Sequence, residues 1–439
     1  MRQYETYKNS EAQWVGKVPS NWKRTRIKFL LSRSSAGVWG DDEKGDANDI
    51  ACFRVADFDY EHGCLSFDKL TYRNIEPKQL QGRMLSLGDL LIEKSGGGDA
   101  TPVGRVVRYN YADNATCSNF VHSVSINNNC LSDYLYYYFF AMYANKENLL
   151  YFNQTTGIQN LKVGEYLSQT IYLPSLAEQQ YIATYLDKKC AEIDKAIATQ
   201  QKRIELLQEL RQNTITHTVT RGINPDAPLK DSGVEWIGMV PEHWEVMMLK
   251  RCATIKTGCT PPTKEEKYYE ADDIDWFTPG DIGDDCIEEA EKKISDSARK
   301  EGVCRMFPPN SVYFVGIGAT IGKVSYCDIE ASANQQINAI IPNNRANYKY
   351  ITYCLKSQKD EIFLTANTVT LPIINQERTG SLRIPVPPLK EQQAIVTHIE
   401  SETAKLDKQV AKANRQIELL QELKQSIITE LVTGKRKVC

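Results

Sequence analysis

The sequence predicts an α+β protein formed by internal duplication, with two mixed α/β domains separated by an antiparallel pair of long helices. Two repeats support this fold class. The stretch 173–220, which opens with "LPSLAEQQ", recurs at 386–433, and a tryptophan-containing opening at Trp14 recurs at Trp236. Strand-like segments and one aromatic helix lie between each opening and its long stretch. An order of elements that occurs twice indicates a duplicated structural unit.

The two long stretches are predicted to be helices. Glu178 recurs as Glu391 and Ile204 as Ile417, each 213 residues later. Each copy follows a proline, contains no internal glycine or proline, and is dense in good helix formers. A helix over 176–219 would be roughly 65 Å long at about 1.5 Å per residue.

Both helices carry a heptad pattern, which is clearer in the second copy. Apolar residues there alternate spacings of four and three, a pattern typical of a coiled-coil seam. A basic residue interrupts the seam at the same place in each copy, as Arg211 and Lys424. The second globular part joins the end of one helix to the start of the other, so we predict that the helices pair antiparallel within the chain. Seam and flanking residues predicted to bind the partner helix or partner proteins are Ile204, Leu206, Leu207, Leu210, Ile417, Leu419, Leu420 and Leu423.

The repeats define predicted domain boundaries. The first globular domain is placed at 1–172, the first long helix at 173–220, the second domain at 233–385, and the second helix with a basic tail at 386–439. The segment 221–232 is rich in Gly, Pro, Asp and Asn, which indicates a linker.

The globular parts are predicted to be mixed α/β. In the first, "CFRVADF", "LLIEK", "GRVVRY" and "HSVSI" have the composition of strands, and "DYLYYYFFAMYA" from Asp133 indicates a buried helix. The second repeats this order with "IDWFTP", "SVYFVG", "GKVSYC", "INAIIP" and a helix near "YKYITYCLKSQ". In both, a glycine-rich connection joins two strand-like runs, which predicts a hairpin.

The composition places limits on the class of protein. A chain of 439 residues exceeds one hydrophobic core, and its 41% hydrophobic and 25% charged residues are typical of a globular protein. No apolar run has membrane-spanning length and the N-terminus has no signal sequence, so we expect a cytoplasmic protein. The twelve cysteines form no C-x-x-C pair, which favours reduced thiols over a zinc site. With a net charge of −3, any DNA-binding surface must be local or shared with another subunit.

Three catalytic interpretations are not supported by the sequence. "GIGATIGK" at 316–323 lacks the spacing of a phosphate loop and is followed by a strand-like run. "FVGIG" from Phe314 resembles the cofactor loop of S-adenosylmethionine-dependent DNA methyltransferases, but "FPPN" from Phe307 has its aromatic residue on the wrong side of the paired motif. The histidines show no ligand spacing. Acidic residues interpreted as solvated loop carboxylates rather than a nuclease site are Asp272, Asp273, Asp275, Asp281, Asp284 and Asp285. We therefore predict a non-catalytic chain with no bound cofactor or metal.

A binding function fits better, because polar and basic side chains cluster around the predicted hairpins. Side chains of these types contact base edges and phosphates. The candidates for DNA contact are Lys94, Arg105, Arg108, Gln159, Asn160, Thr257, Thr260, Lys323, Asn334 and Gln335.

These features together resemble the specificity subunit of type I restriction-modification systems. The resemblance is carried by the W-x-G-x-V-P-x-x-W openings at Trp14 and Trp236, by "TGCTPP" at Thr257, and by "PSLAEQQ" and "PPLKEQQ" before the helices. The first domain departs from the family pattern, with "SRSSAGVWGDD" from Ser32 where the second has "KTGCTPP".

The resemblance implies a non-catalytic protein with two target-recognition domains, each binding one half of a split DNA target. Because the two domains differ in sequence throughout, we expect different half-sites and an asymmetric target. The resemblance also implies that two modification subunits bind this chain and supply methylation with S-adenosylmethionine. Restriction subunits would add ATP- and Mg-dependent translocation and cleavage. The alternative interpretation is a coiled-coil scaffold protein that does not bind DNA.

Overall fold

The computed structural model describes residues 3–98, 100–155, 157–283, 285–358, 362 and 372–438. The chain divides into two compact units. The first consists of Met1–Gln201 with Asn414–Cys439, and the second of Lys202–Ala413. Each unit therefore contains one globular part and a portion of both long helices.

The first unit has seventeen strands among its described residues. They are β1 (Tyr7–Asn9), β2 (Lys17–Pro19), β3 (Lys23–Arg26), β4 (Leu31–Ala36), β5 (Asp41–Asp42), β6 (Asp49–Phe53), β7 (Phe58–Asp59), β8 (Cys64–Leu65), β9 (Tyr72–Asn74), β10 (Leu90–Glu93), β11 (Ser95–Gly96), β12 (Val106–Arg108), β13 (Ala115–Cys117), β14 (Val121–Ile126), β15 (Phe152–Thr155), β16 (Ile158–Leu161) and β17 (Thr170–Leu173). Its helices are α1 (Pro77–Leu80), α2 (Ser132–Ala144), α3 (Val163–Tyr166) and the first part of α4 (Leu176–Arg221).

The second unit has twelve strands among its described residues. Its strands are β18 (Leu229–Asp231), β19 (Met239–Pro241), β20 (Glu245–Met248), β21 (Ala253–Thr257), β22 (Ile274–Phe277), β23 (Lys293–Ile294), β24 (Met306–Phe307), β25 (Ser311–Val315), β26 (Val324–Cys327), β27 (Ala331–Ala333), β28 (Ile337–Pro342) and β29 (Arg383–Val386). Its helices are α5 (Asp296–Lys300), α6 (Tyr348–Ser357), α7 (Gln376–Ser381) and the first part of α8 (Leu389–Val432).

Each unit contains the same antiparallel four-stranded sheet. The strand order is β12-β10-β14-β4 in the first unit and β26-β25-β28-β21 in the second. A second four-stranded sheet in each unit contains one parallel pair, β6 with β13 and β22 with β27. The antiparallel pairs β10/β12 and β25/β26 confirm the two predicted hairpins. The predicted α+β class is therefore confirmed.

Two predicted elements have different bounds in the structure. "CFRVADF" is not one strand: β6 ends at Phe53 and a 3-10 turn follows at Val55–Asp57. The Arg54 amide donates to Asp57 Oδ2 at 2.7 Å, which closes this turn. The stretch predicted as a linker at 221–232 contains β18, which pairs with β19. The other domain boundaries stay a prediction.

Within each unit, parts of the long helices pair antiparallel. In the first unit, Ile182 and Leu186 near the start of α4 share a core with Ile428 and Leu431 near the end of α8. In the second, Ile215 and Val219 near the end of α4 share a core with the start of α8. No helix among the described residues combines the length and the apolar character needed to cross a membrane.

Candidate nucleic-acid interface

In the second unit, two loops meet where β21 ends. The Gly258 amide donates to Ile337 O at 2.9 Å, and the Cys259 amide donates to Ala333 O at 2.8 Å. A Cβ atom on Gly258 would lie 2.2 Å from the carbonyl oxygen of Asn334, closer than any real contact. The glycine is required because the two backbones approach this closely.

The side chains around this crossing form a hydrogen-bonded polar surface. The Thr260 hydroxyl donates to the side-chain oxygen of the exposed Gln335. Asn334 is buried, and its amide groups bond Gln336 at 3.2 and 3.0 Å. Arg305 is exposed and donates to the carbonyl at the end of β21 at 2.5 Å. We call Thr260, Arg305, Asn334, Gln335 and Gln336 the polar surface.

Thr257 supports this surface from inside the fold. Its hydroxyl donates to Asn338 Oδ1 at 2.8 Å. Asn338 is buried, and its side-chain nitrogen donates to Thr379 Oγ1 at 2.9 Å and to Ile374 O at 3.2 Å. The predicted contact residue Thr257 is thus engaged in an internal network.

The first unit has the same backbone crossing at Gly37. The Gly37 amide donates to Val121 O at 3.0 Å, and the Val38 amide donates to Cys117 O at 2.8 Å. A Cβ atom on Gly37 would lie 2.1 Å from Cys117 O. Gly37 is therefore the counterpart of Gly258, although the surrounding sequence does not reproduce "TGCTPP".

The side chains at this crossing differ between the units. Trp39 stands at the position of Thr260, and Phe120 at that of Gln336. The Arg73 guanidinium lies 4.4 Å from the centroid of the Trp39 ring and donates to Trp39 O at 3.1 Å. Phe120 is 45% exposed. The surface is therefore aromatic in the first unit and hydrogen-bonding in the second.

Arg105 and Lys323 occupy corresponding positions in the two hairpins, because their carbonyl groups accept from the last residues of β10 and β25. Arg105 donates to the buried Glu93 at 2.9 Å, and its guanidinium lies 3.6 Å from the centroid of the Tyr60 ring. It neutralises a buried carboxylate, which explains an arginine here without a nucleic acid. Lys323 is half-buried.

Three other candidates in the first unit are also engaged internally. Arg108 forms ion pairs with Asp187 on α4 at 3.0 Å and with Asp133 on α2 at 3.3 Å. Gln159 is 2% exposed and accepts from the Val103 amide at 3.1 Å. Asn160 is exposed, and it accepts from the Ser95 hydroxyl at 2.7 Å.

Lys94 is half-buried and lies close to His122 on β14. The His122 Nε2 atom is 2.8 Å from the Ser34 hydroxyl. Burial, and then the nearby Lys94 charge, lowers the pKa of His122 to about 4. The imidazole is therefore neutral at pH 7.

The recurring glutamine of the "EQQ" motif has a structural role in both units. Gln179 donates to Pro174 O at 3.1 Å and accepts from the Leu131 amide, just before α2, at 2.9 Å. Gln392 is fully buried, donates to Pro387 O at 2.8 Å, and accepts from the Asn347 amide before α6 at 2.8 Å. Each glutamine ties a long helix to the N-terminus of an aromatic helix.

The basic residues in the predicted seam pair with carboxylates on the other helix. In the first unit, Lys424 on α8 bonds Asp194 on α4. In the second, Arg211 on α4 contacts Asp407 on α8 at 3.3 Å and Asp285 of the globular part at 3.2 Å. Asp407 follows Asp194 by 213 residues, as Lys424 follows Arg211.

The leucine candidates divide between the seam and the surface. Leu207 is buried, whereas Ile204, Ile417 and Leu420 are half-buried. The four flanking leucines are exposed by 47 to 54%, namely Leu206, Leu210, Leu419 and Leu423.

Two of the acidic residues singled out in the second unit, Asp281 and Asp285, accept hydrogen bonds from groups within that unit. Asp281 accepts from the Thr278 amide at 2.7 Å and from the Glu291 amide at 2.8 Å. Asp285 accepts from Lys356 as well as from Arg211. Asp284 lies outside the described residues. In the part of the chain that the structure describes, no group of three or more His, Cys, Asp or Glu residues is arranged to hold a metal ion.

The sequence did not single out Trp39, Asn119, Phe120 or Arg305 as candidates. A usable signal exists only for Trp39, since a glycine after a strand marks the loop at Gly37 that carries it. Arg305 is distant in sequence from the crossing and is brought to it by the fold.

Comparison with known proteins identifies the family. The profile of the family "Type I restriction modification DNA specificity domain" matches residues 85–208 and 241–419, more than half of the chain. The MjaIX specificity subunit of Methanocaldococcus jannaschii is 30% identical over 166 residues, 37% of this chain and 38% of that protein. The EcoR124I/EcoR124II specificity subunit of Escherichia coli is 24% identical over 50% of this chain and 56% of that protein. The chain thus spans less than two thirds of these two relatives.

A more distant relative and two solved structures match over nearly the whole length. The putative MjaX specificity subunit of M. jannaschii is 21% identical over 99% of this chain and 97% of that protein. A chain from a structure that describes complex assembly and conformational transition of the type I R-M system has a TM-score of 0.72 at 16% identity, and the match covers 94% of this chain and 98% of that chain. The HsdS subunit from Thermoanaerobacter tengcongensis has a TM-score of 0.52 at 16% identity, covering 95% and 98%. The two solved structures support the fold, and the family profile adds the identity: the chain belongs to the type I restriction-modification DNA specificity family.

Proposed function

We propose that this chain is the DNA-specificity subunit of a type I restriction-modification complex. The observation that carries the proposal is that the family profile matches twice, at 85–208 and at 241–419, so that each unit supplies one recognition module. Each module binds one part of a split target in duplex DNA. The coiled-coil scaffold alternative has no comparable support.

In the second unit, the polar surface carries the groups that base recognition needs. Glutamine amides and threonine hydroxyls bond base edges in the major groove, and arginine bonds guanine or phosphate. We assign Gln335 and Thr260 to base contact and the exposed Arg305 to phosphate or guanine. Lys323 lies in the hairpin between β25 and β26 and is assigned to phosphate.

In the first unit, Lys94 and Asn160 remain candidates for DNA contact. Arg105, Arg108 and Gln159 are assigned to internal support, because they bond protein partners and are largely buried, whereas Asn160 is exposed. The recognition surfaces of the two units have different chemistry, so the two half-sites differ and the target is asymmetric.

The chain acts without catalysis and binds no cofactor. S-adenosylmethionine, ATP and Mg belong to partner subunits, of which two modification subunits bind this chain and restriction subunits join them in the cytoplasm. The exposed pairs Leu206/Leu210 and Leu419/Leu423 supply contact surfaces for the modification subunits. Charged substitutions at Leu206 and Leu419 should therefore weaken that complex, and an intact complex would refute this assignment.

Sequencing methylated adenines in cells that carry this chain with its modification subunit tests the proposal. We expect a split motif with a fixed gap and two different half-sites, and a continuous palindrome would overturn the proposal. Gln335→Ala should relax selectivity at one position of one half-site. Asn344→Ala is a matched control, because this exposed amide lies beyond the opposite end of β28. A scaffold would instead show neither sequence-dependent DNA binding nor the steep salt dependence of phosphate contacts.

A further inference from the structure

The first unit has a groove at the crossing of its two loops. Its volume is about 450 Å³ and its lining is mostly apolar. This lies within the range of roughly 300–1,000 Å³ that is typical of small-ligand sites. The lining includes Trp39, Arg54, Gly96, Ser118 and Phe120, together with the exposed Asn119.

Two aromatic side chains line this groove and remain accessible. Phe120 is 45% exposed, although Ser118 two residues before it and Val121 directly after it are buried. Trp39 is half-buried, and Arg73 holds it by stacking on the ring and by bonding its carbonyl group. Single exposed apolar residues are common, but two aromatic residues lining one groove indicate a binding surface.

The groove is lined by the side chain of the buried Ser118. The Ser118 hydroxyl is buried and has no hydrogen-bond partner among the residues that the structure describes. Such a group is costly unless something bonds it. Gly96 has φ +122°, and a Cβ atom there would meet nothing closer than Glu93 Oε1 at 3.8 Å, so the backbone is open on that side.

The second unit has different side chains on the two loops that meet at its crossing. Asn334 replaces Ser118 and bonds Gln336, which replaces Phe120. Thr260 replaces Trp39 and bonds Gln335. Because these side chains bond one another, the aromatic lining with an unbonded hydroxyl is a property of the first unit.

We propose that the groove receives one unstacked nucleobase from the half-site that the first unit binds. The base stacks on Phe120 and Trp39, and its polar edge faces Ser118 and Asn119. Bases taken out of a duplex are recognised in this way, by aromatic stacking combined with hydrogen bonds to the base edge. This inference rests on the DNA-specificity function proposed above.

The test uses the full chain in complex with its modification subunits and duplexes that contain its methylated target. 2-Aminopurine is placed at each position in turn, and its fluorescence rises when the base leaves the stack. We expect a rise at one position of a half-site outside the methylated adenine. Phe120→Ala should abolish that rise and weaken binding by about 5- to 150-fold, the effect of losing one base–aromatic stack. Phe29→Ala, which removes a 62% exposed aromatic side chain outside the groove, should leave both unchanged.

Two results would overturn the inference. One is target binding of normal affinity and specificity with no fluorescence rise outside the methylated adenine. The other is a loss of affinity, on replacing one thymine of the target by uracil, that equals the loss caused by Phe120→Ala and comes without a fluorescence rise. In that case Phe120 would contact a thymine methyl group within the stack. Neither result affects the proposed specificity function. That function fails separately, if the complex shows no sequence preference at all.

Discussion

Lys424 on α8 donates hydrogen bonds to both carboxylate oxygens of Asp194 on α4, at 2.7 and 2.9 Å. Both side chains are only 16% exposed. Lys424 also donates to Glu61 O at 3.2 Å, so one ammonium group joins both helices and the globular part of the first unit. A polar pair inside an apolar seam favours one register of two helices over others.

Removal of Lys424 should destabilise the first unit. Lys424→Met leaves Asp194 largely buried without its counter-charge, which should cost about 2–4 kcal/mol of unfolding free energy. Hydrogen exchange of peptides from α4 and α8 measures the loss locally. The exposed pair Lys189–Glu192 provides the control, and Lys189→Met should cost less than about 0.5 kcal/mol.

The exchanged pair Asp194→Lys with Lys424→Asp should recover part of that loss, because the opposite charges face each other again. Equal hydrogen-exchange rates in the single variants and in the charge-swapped double variant would show that the two charges do not interact.

The buried glutamine of the second "EQQ" motif should not tolerate a charge. Gln392→Glu replaces an amide nitrogen that donates to Pro387 O and Arg345 O, so two carbonyl groups lose their donor. We expect a loss of about 2–4 kcal/mol and faster exchange at the start of α8. Gln393→Glu is the control in the next position, because that side chain is exposed and its oxygen, which the substitution keeps, accepts from Asn347. Similar losses in both variants would contradict the structural role of Gln392.

Both loop crossings should require glycine. Gly258→Ala and Gly37→Ala place a methyl group about 2 Å from a backbone carbonyl oxygen, so the loops must separate. We expect each variant to lose selectivity for one half-site in methylated-adenine sequencing, or to unfold one unit. Gly283→Ala and Gly164→Ala are matched controls, since a Cβ atom there meets nothing within 4 Å and neither glycine has a positive φ. Unchanged selectivity and folding in Gly258→Ala would exclude a tight crossing.

The first unit should lose stability in mild acid because of His122. Its pKa is lowered to about 4 by burial and then by Lys94, whereas the unfolded chain titrates near the ordinary value of 6.5. Between these values the unfolded state binds more protons, so stability is complete above about pH 6.5 and falls as the pH approaches 4. The loss should reach about 3 kcal/mol, given about 1.4 kcal/mol for each pKa unit.

Hydrogen exchange of β14 over this pH range measures the effect. His122→Asn should flatten the pH dependence, because the corresponding position in the second unit is the uncharged Asn338. Lys94→Met should raise the folded-state pKa of His122 by removing the second cause, so that the loss becomes smaller and levels off at a higher pH. An unchanged pH dependence in His122→Asn would assign the acid sensitivity to another group.

Much of the fold follows from local patterns in the sequence. The long helices were predictable because helix formers and heptad spacing depend only on neighbouring residues. In the structure, the helix predicted over 176–219 continues for two more residues and ends at Arg221. The duplication was visible because Glu178 and Glu391 are embedded in similar segments that recur at a constant shift. The hairpins were predictable because their strands are adjacent in the chain and are joined by glycine-rich connections.

The roles of individual side chains depended on the tertiary structure. Arg105, Arg108 and Gln159 have the chemistry of DNA contacts, but they bond residues that are 12 to 79 positions away in sequence. Gly37 could be matched to Gly258 only from backbone hydrogen bonds, since the side chains around it have changed completely. Helix and strand periodicity arises from local backbone geometry, whereas a hydrogen-bond partner is chosen by which distant segments become neighbours. The sequence therefore determined the repeated architecture, and folding decided which polar groups face inward and which remain available to a ligand.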